Sequence, residues 1–557
     1  MSGTLRSRKH GGASSSHALS GGSPSSRSRR SPHDPSGKDK EYYRQKWALV
    51  VIFASLLGVG LFEARRKSAK TQFIGGGEAE PPVRVKLQQG DDAAKRPPAE
   101  GGRGGQQQRR DFEDEGKEKK AASEVYDRAA AAEALSFALP SDIAQEADHL
   151  GTRLHIVFST DCSTFQHWQS YLMFYSALRV VQPGRITRIA SGCSGEEGKA
   201  ELDWHNRHIR DNMSPRFGLH LTPHFSTVTD ADGKKVGDYK FFNKPFGLKH
   251  WLENGEGMGV NPDTGKLRDE DLVVILIDPD MTLLRPITSD FSDKRETLVG
   301  REGLWKSQVQ HGTPFGQTYG LGTQWREFDL TAIAGANSPA LRVSKDDGRD
   351  FYPVGPPYLG TARDMHAIAT KWSEFAPRVH AQYPHLLAEM YAYCIAAAHL
   401  KLPHQKINSL MVSNSGTGGE GWSFVEKIPP SEVCAFMVDG PDHSKYALPS
   451  VMHLCQRYIV GPWLFAKRKM PHDFFTCEHQ LLEVPPPDLA KRFKYKIKPA
   501  EQVKVDISEK VAHEDAFMMC GTIGYLNEAG TYFKRKGCSG NANYEKTLNL
   551  GALFKKK

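Results

Sequence analysis

The stretch Leu272-Val-Val-Ile-Leu-Ile277 is an unbroken apolar run, mostly β-branched, and it stops at Asp278-Pro279-Asp280. A run this short, bounded by a turn signal, reads as a strand buried on both faces, and such strands belong to helix-covered parallel or mixed sheets. Pro279 cannot continue a central ladder, because it has no N–H to donate. The two carboxylates therefore stand at the carboxyl edge of the sheet, where open α/β folds bind their ligands. A divalent cation suits that arrangement: magnesium and manganese prefer oxygen ligands and are usually held by one or two carboxylates with phosphates and water. Asp-x-Asp alone is common in loops and caps; the apolar run before it and Arg285-Pro286 after it make it informative here.

The rest of the chain divides by composition. Residues 1–46 are rich in Ser, Gly and Arg, and residues 63–148 open with a Gly-, Gln-, Glu-, Lys- and Pro-rich stretch poor in large apolar side chains. Segments of that kind cannot bury enough surface to offset chain entropy, so both read as disordered. About 400 of the 557 residues remain for folding, read as one domain over 149–484 and a Lys-rich C-terminal appendage over 485–557. A net charge of +9, with 74 basic and 65 acidic residues, is modest for this length and concentrated in the polar ends, and does not point to nucleic acid.

Between the polar stretches, residues 47–62 form an uncharged segment from Trp47 to Phe62, about 24 Å long as a helix. That is close to the thickness of an early secretory membrane. The long preceding region and bulky Leu61 and Phe62 favour a retained signal anchor over a cleaved signal peptide. Arg27, Arg29, Arg30, Lys38, Lys40, Arg44 and Lys46 precede it, against Arg65, Arg66, Lys67 and Lys70 after it. The positive-inside rule then puts the N-terminus in the cytosol and the folded part in the lumen, the layout of a single-pass type II enzyme of the Golgi or ER. All 8 cysteines lie beyond this segment, which permits disulfides in an oxidising lumen; their pairing cannot be deduced.

Within the folded part, Leu154 to Ser159 reads as a first core strand and Phe165 to Val181 as a helix with Trp168, Leu172, Tyr175 and Leu178 along one side. Arg188 to Ser191 reads as a second strand, Phe246 to Leu252 as a helix following Pro245, and Leu386 to Leu400 as a helix apolar almost all round. Strands alternating with helices indicate an α/β domain with a mainly parallel mixed sheet.

Several islands in order resemble a family: the plant and algal peptidyl glycosyltransferases that include hydroxyproline O-arabinosyltransferase and peptidyl serine α-galactosyltransferase. They are Ser159-Thr-Asp161 with Gln166, Trp168-Gln169 and Phe174-Tyr175; Asn243-Lys-Pro-Phe246 with Trp251-Leu252; Asp278-Pro-Asp280 with Arg285-Pro286; Pro353-Val-Gly-Pro-Pro-Tyr358; Glu389-Met-Tyr-Ala-Tyr393; and His453 before Arg457-Tyr458. The resemblance covers roughly 153 to 480, and Glu389-Met-Tyr-Ala-Tyr393 is its most specific piece. Asp-Pro-Asp stands where the arabinosyltransferases tend to have Glu-Pro-Asp, and Leu454 rather than Tyr follows His453. The Gly-rich insert Ser413 to Gly421 and the tail after Lys491 have no counterpart.

The resemblance implies a GT-A-like nucleotide-sugar transferase fold, manganese or magnesium, a UDP-sugar donor carrying arabinose or galactose, and a hydroxyproline or serine hydroxyl of a protein as acceptor. A sugar nucleotide reacts by losing a diphosphate, whose growing charge calls for a cation as Lewis acid. On this reading Asp278 and Asp280 hold the metal with His453 as third ligand, and Ser159, Thr160 and Asp161 meet the uridine or ribose. Asn243 and Lys244 contact sugar hydroxyls or diphosphate. Glu389, a carboxylate inside an apolar helix, either pairs with a cation or faces the reacting sugar as the catalytic group. Tyr391 and Tyr393 read as core aromatics, and Trp251, Trp305 and Trp325 as packed aromatics before sugar platforms. Two other classes stay open: a catalytically inert lumenal protein that binds glycan or peptide on the same fold, and a metal-dependent hydrolase, which lacks a visible bridging acidic cluster.

Overall fold

A computed structural model describes residues 153–552 except 230–231, 294–296, 302 and 499–501. The expected tail, signal anchor and stem, 1–46, 47–62 and 63–148, lie outside the described residues. Among the described residues no helix is long and apolar enough to cross a membrane.

The main sheet has eight strands. In chain order they are β1 (Leu154–Asp161), β2 (Arg185–Ser191), β3 (Phe217–Thr222), β4 (Val273–Ile277), β6 (Leu298–Val299), β7 (Phe315–Thr318), β8 (Val354–Thr361) and β9 (Gln405–Ile407). Across the sheet they run β3-β2-β1-β4-β8-β7-β9-β6. Strands β1 to β4 are all parallel, β8 runs antiparallel between β4 and β7, β7 and β9 are parallel, and β6 is antiparallel to β9. The expected mixed, mainly parallel sheet is present. After β3 the chain returns to the far side of β1 to lay down β4, so the strand order reverses between β1 and β4 and opens a crevice at their carboxyl ends.

Side chains along β1 and β4 alternate between two cores, as the two-residue period of a strand requires. Ile156, Phe158, Ile275 and Ile277 face one, with α1 (Phe165–Arg179). Val157, Val274 and Leu276 face the other, with α3 (Asn243–Asn254), α4 (Ala362–Gln382) and α5 (Ala388–His399). A shorter helix, α2 (Gly195–His205), follows β2. Helix α3 starts three residues before the expected Phe246, because Pro245 is accommodated in its first turn, where the N–H has no intrahelical partner anyway. Helix α5 is buried on every side from Ala388 to Ala398, as its composition suggests.

A second sheet has three strands in the order β10-β11-β5, namely β10 (Met411–Val412), β11 (Val451–His453) and β5 (Met281–Leu283). Strand β5 follows β4 after only Asp278, Pro279 and Asp280, so those three residues carry the chain from the large sheet into the small one. A hairpin of β12 (Arg457–Val460) and β13 (Trp463–Ala466) comes next.

The C-terminal region is not an appendage. Helix α6 (Glu509–Gly537) places Ala516, Phe517, Met518, Met519, Tyr525, Leu526 and Tyr532 in the same core as Ile156 and Phe158. Its Glu528 accepts from Tyr175 Oη at 2.9 Å and from Arg179 Nε at 3.0 Å, an ion pair with α1 in which neither side chain is more than 10% exposed. Lys-rich flanks hide an apolar centre, which is why composition alone misplaces this segment. Disulfides Cys434–Cys520 and Cys477–Cys538 tie α6 and its end to the body, and Cys162–Cys193 joins the loops that follow β1 and β2. Cys394 and Cys455 are free.

Phe517 is wholly buried. Phe517→Ala is expected to lower the unfolding free energy by about 3–5 kcal/mol, read from the denaturant midpoint. A chain ended before Glu509 is expected to yield no soluble folded protein; a stable truncation would return 485–557 to the status of an appendage.

Candidate metal centre

The joint between the sheets positions the acidic pair. The Asp278 carbonyl accepts from Met281 N at 3.2 Å, closing a turn around Pro279, and the Asp280 carbonyl accepts from Leu454 N at 2.8 Å. Antiparallel pairing of β5 with β11 sets His453 opposite Met281. The ladder thereby aims the His453 ring at both carboxylates: Nε2 lies 3.3 Å from Asp280 Oδ1 and 3.8 Å from Asp278 Oδ2. Each of the three residues offers a donor atom within 4.8 Å of the other two. Asp280 is 6% exposed and His453 5% exposed, while Asp278 is half-buried at the crevice.

Two oxygens and one imidazole nitrogen fit manganese or magnesium, with the imidazole favouring manganese, and they leave the remaining positions to phosphate and water. His453 Nδ1 is buried without a hydrogen-bond partner among the described residues, so Nε2 is the nitrogen that serves the centre.

Two lysines balance the acids. Lys244 Nζ, from the first turn of α3, lies 2.8 Å from Asp278 Oδ1 and 2.9 Å from Glu389 Oε1. Lys467 Nζ, from the turn after β13, bonds Asp280 Oδ2. Burial alone pushes the Asp280 carboxyl up, but His453 and Lys467 outweigh it and hold the group well below the usual carboxylate range. Burial lowers His453, Asp280 outweighs that, and the imidazole is held above its ordinary value. Lys244 follows the same logic with Asp278 and Glu389 and stays protonated.

Glu389 is 2% exposed at the start of α5. Burial pushes its carboxyl up and the Asp278 charge adds to that, and the Lys244 ammonium it shares with Asp278 only partly offsets the rise. Trp372 Nε1 donates to its backbone carbonyl at 2.6 Å, and its own N–H donates to Tyr239 Oη at 3.3 Å. Its Oε2 has no hydrogen-bond partner among the described residues, and neither does the nearby buried hydroxyl of Tyr358.

The β1 edge is divided. Ser159 and Asp161 are half-buried at the crevice; the Asp161 carboxylate accepts from Ser163 N at 3.0 Å and pairs with Lys240 Nζ at 3.0 Å. Thr160 points into the fold, where its hydroxyl accepts from Arg188 Nε at 2.8 Å within a buried Arg188–Glu201–His167 network. The crevice therefore receives only the backbone of Thr160. The Asn243 amide oxygen is taken up by Phe225 N at 3.2 Å, which holds the loop before α3. Trp251 and Trp325 are packed in the core, and Trp305 is 52% exposed.

Residues that sequence reasoning passed over complete the centre. Lys467 sits in a Lys-Arg-Lys triplet, a pattern that normally marks a solvated face. Glu420 belongs to the Gly-rich insert, where its carboxylate accepts from Ser413 N and Ser413 Oγ at 2.6 Å each. Cys455 stands close by, and burial first, then the Asp280 charge, pushes its thiol up to about 12.

Helix α6 clasps that insert. Glu514 Oε2 accepts from Gly416 N at 2.7 Å, and Asp515 accepts from the Ser415 hydroxyl and the Ile459 N–H. Burial outweighs those bonds and raises the Asp515 carboxyl to about 6. With the folded value above the unfolded one, the associated stability is full below about pH 4 and lost as pH rises through about 6. Relative to Asp515→Asn, the wild-type protein is therefore expected to lose about 2 kcal/mol of unfolding free energy between pH 4 and pH 7, measured by paired denaturant titrations. A flat difference across that range refutes the buried carboxyl.

No protein-family model matches the chain. Two curated proteins are similar to it. A peptidyl serine alpha-galactosyltransferase of Arabidopsis thaliana is 24% identical over 351 residues, 60% of this chain and 34% of the relative. A protein of the same description from Chlamydomonas reinhardtii is 24% identical over 271 residues, 46% of this chain and 31% of the relative. The chain thus spans about a third of the length of the curated relatives it matches. Over these stretches it resembles the peptidyl serine alpha-galactosyltransferases, the family to which its sequence islands point.

Proposed function

We propose that this chain is a metal-dependent glycosyltransferase that moves a sugar, galactose or arabinose, from a UDP-sugar to a serine or hydroxyproline hydroxyl of a protein in the secretory pathway. The observation that carries the reading is the convergence of Asp278, Asp280 and His453 at the switch between β1 and β4. The names of the two relatives support a galactosyl donor and a peptidyl serine acceptor. A GT-A-like arrangement accommodates the mixed sheet with its small second sheet beside the acidic pair.

Asp278, Asp280 and His453 would hold manganese or magnesium, which when bound supplies a Lewis acid for the departing diphosphate. The chain's own residues do the rest. Ser159, the Thr160 backbone and Asp161 line the edge that receives the nucleoside, as residues at the carboxyl ends of parallel strands do. Lys244 keeps a fixed positive charge between Asp278 and Glu389, and Asn243 holds the loop that borders it. Glu389 Oε2, buried and without a hydrogen-bond partner among the described residues, is the acceptor into which a sugar hydroxyl would donate. The anchor and lumenal orientation read from residues 47–62 supply the setting, and the three disulfides suit an oxidising lumen.

The test is UDP release by the purified full chain given manganese, a panel of UDP-sugars, and Ser-rich or hydroxyproline-rich peptides. Peptide-dependent release is expected, with Asp280→Ala reducing it by about 100-fold or more through lost charge stabilisation of the leaving group. No release from any donor, together with no manganese-dependent UDP binding, overturns the transferase reading in favour of a binding protein on the same fold.

A further inference from the structure

We propose that Lys467 is a donor-positioning residue that leaves Asp280 when a cation enters and carries its ammonium to the diphosphate. The inference rests on the transferase reading above. It starts from a crowding problem: both oxygens of Asp280 face basic groups of the chain, Oδ1 lying 3.3 Å from His453 Nε2 and Oδ2 bonding Lys467 Nζ. A divalent cation bound by Asp278, Asp280 and His453 would bring its charge onto the carboxylate that Lys467 already holds, and His453 is itself a ligand candidate fixed in the β11 ladder.

Lys467 is the group free to yield. It lies in the turn Lys467–Lys469 at the end of the β12–β13 hairpin, and its side chain is 26% exposed. Lys244 is built differently: its side chain is 10% exposed and pairs with Asp278 and Glu389 together, so losing Asp278 to a metal still leaves it a buried partner. With a cation on Asp280, an ammonium so close by is repelled unless an anion lies between them. A diphosphate bridging to the metal is that anion, and lysine's compact charge on a flexible stem suits the transfer.

The segment after Lys467 points the same way. His472 stacks edge-on with Phe165 at 5.5 Å and its Nδ1 lies 3.4 Å from Thr164 Oγ1, so this stretch borders the loop that follows β1. The chain thus runs from Lys467 at the acidic pair to His472 at the loop that follows β1, the stretch along which the phosphates of a bound donor would lie.

The test uses the full chain and two ligands, measured by calorimetry: Mn2+ alone, and UDP at saturating Mn2+. Lys467→Met is expected to bind Mn2+ alone more tightly than wild type, since the competitor for Asp280 is gone, and to bind UDP about tenfold or more weakly, since a charge-assisted bond to phosphate is lost. UMP, which lacks the second phosphate, is expected to be weakened less. Lys467→Arg retains a cation and is expected to keep Mn2+ affinity near wild type, and melting temperatures recorded alongside confirm folding. Unchanged UDP affinity in Lys467→Met, or Mn2+ and UDP affinities falling together, overturns the proposal and leaves Lys467 as a structural partner of Asp280. Absence of manganese-dependent UDP binding in wild type overturns the transferase reading and this inference with it.

Discussion

The structure turns on a three-residue joint. Strand β4 ends in one sheet and β5 begins in another, with only Asp278, Pro279 and Asp280 between them. Everything that defines the site follows from that brevity. The joint cannot move without disturbing two ladders, so backbone pairing places the carboxylates where Lys244, His453 and Lys467 reach them, and β11 delivers His453 through the same small sheet. A site set on strands in this way is better fixed than one set on loops.

Fixing three acids in a largely buried cluster raises a charge problem. Asp278, Asp280 and Glu389 lie beside one another with little water, and isolated buried carboxylates are costly. The chain answers with Lys244, Lys467 and His453, each drawn above its ordinary protonation range by the acids despite burial. Glu389 marks where the compensation falls short: burial raises its carboxyl, and one of its oxygens lacks a partner among the described residues. Buried pairs of this kind add little net stability, because desolvation offsets attraction.

Legibility in the sequence tracked how local the physics was. The buried strand and its acidic end were visible because an apolar run and a proline are adjacent in the chain; so was the all-round burial of α5, from an uninterrupted apolar composition. The start of helix α3 is less legible: Pro245 suits a first turn but does not show in the sequence how many residues before it already belong to the helix, which begins at Asn243. His453 was legible only through resemblance, since an imidazole in Val451-Met-His453 carries no local sign of two carboxylates more than 170 residues earlier. Lys467 and Glu420 were missed for the same reason in stronger form: a basic triplet and a glycine-rich loop look solvated until the tertiary fold supplies their partners.

The C-terminal helix shows how far the site's support extends. Helix α6 packs against α1 through Arg179 and Glu528, and its first turns hold the Gly-rich insert through Glu514 and Asp515. The insert carries Glu420 towards His453, whose field acts on that carboxyl. Tyr458 adds a second tie, its hydroxyl lying 2.8 Å from the carbonyls of both Ser413 and His453, so one proton is shared between the insert and the backbone of that histidine. Helix α6, although remote in sequence from Asp278, is therefore linked to His453 through a continuous set of hydrogen bonds. A segment whose flanks read as a lysine-rich tail is in this sense part of the wall on which the metal centre is built.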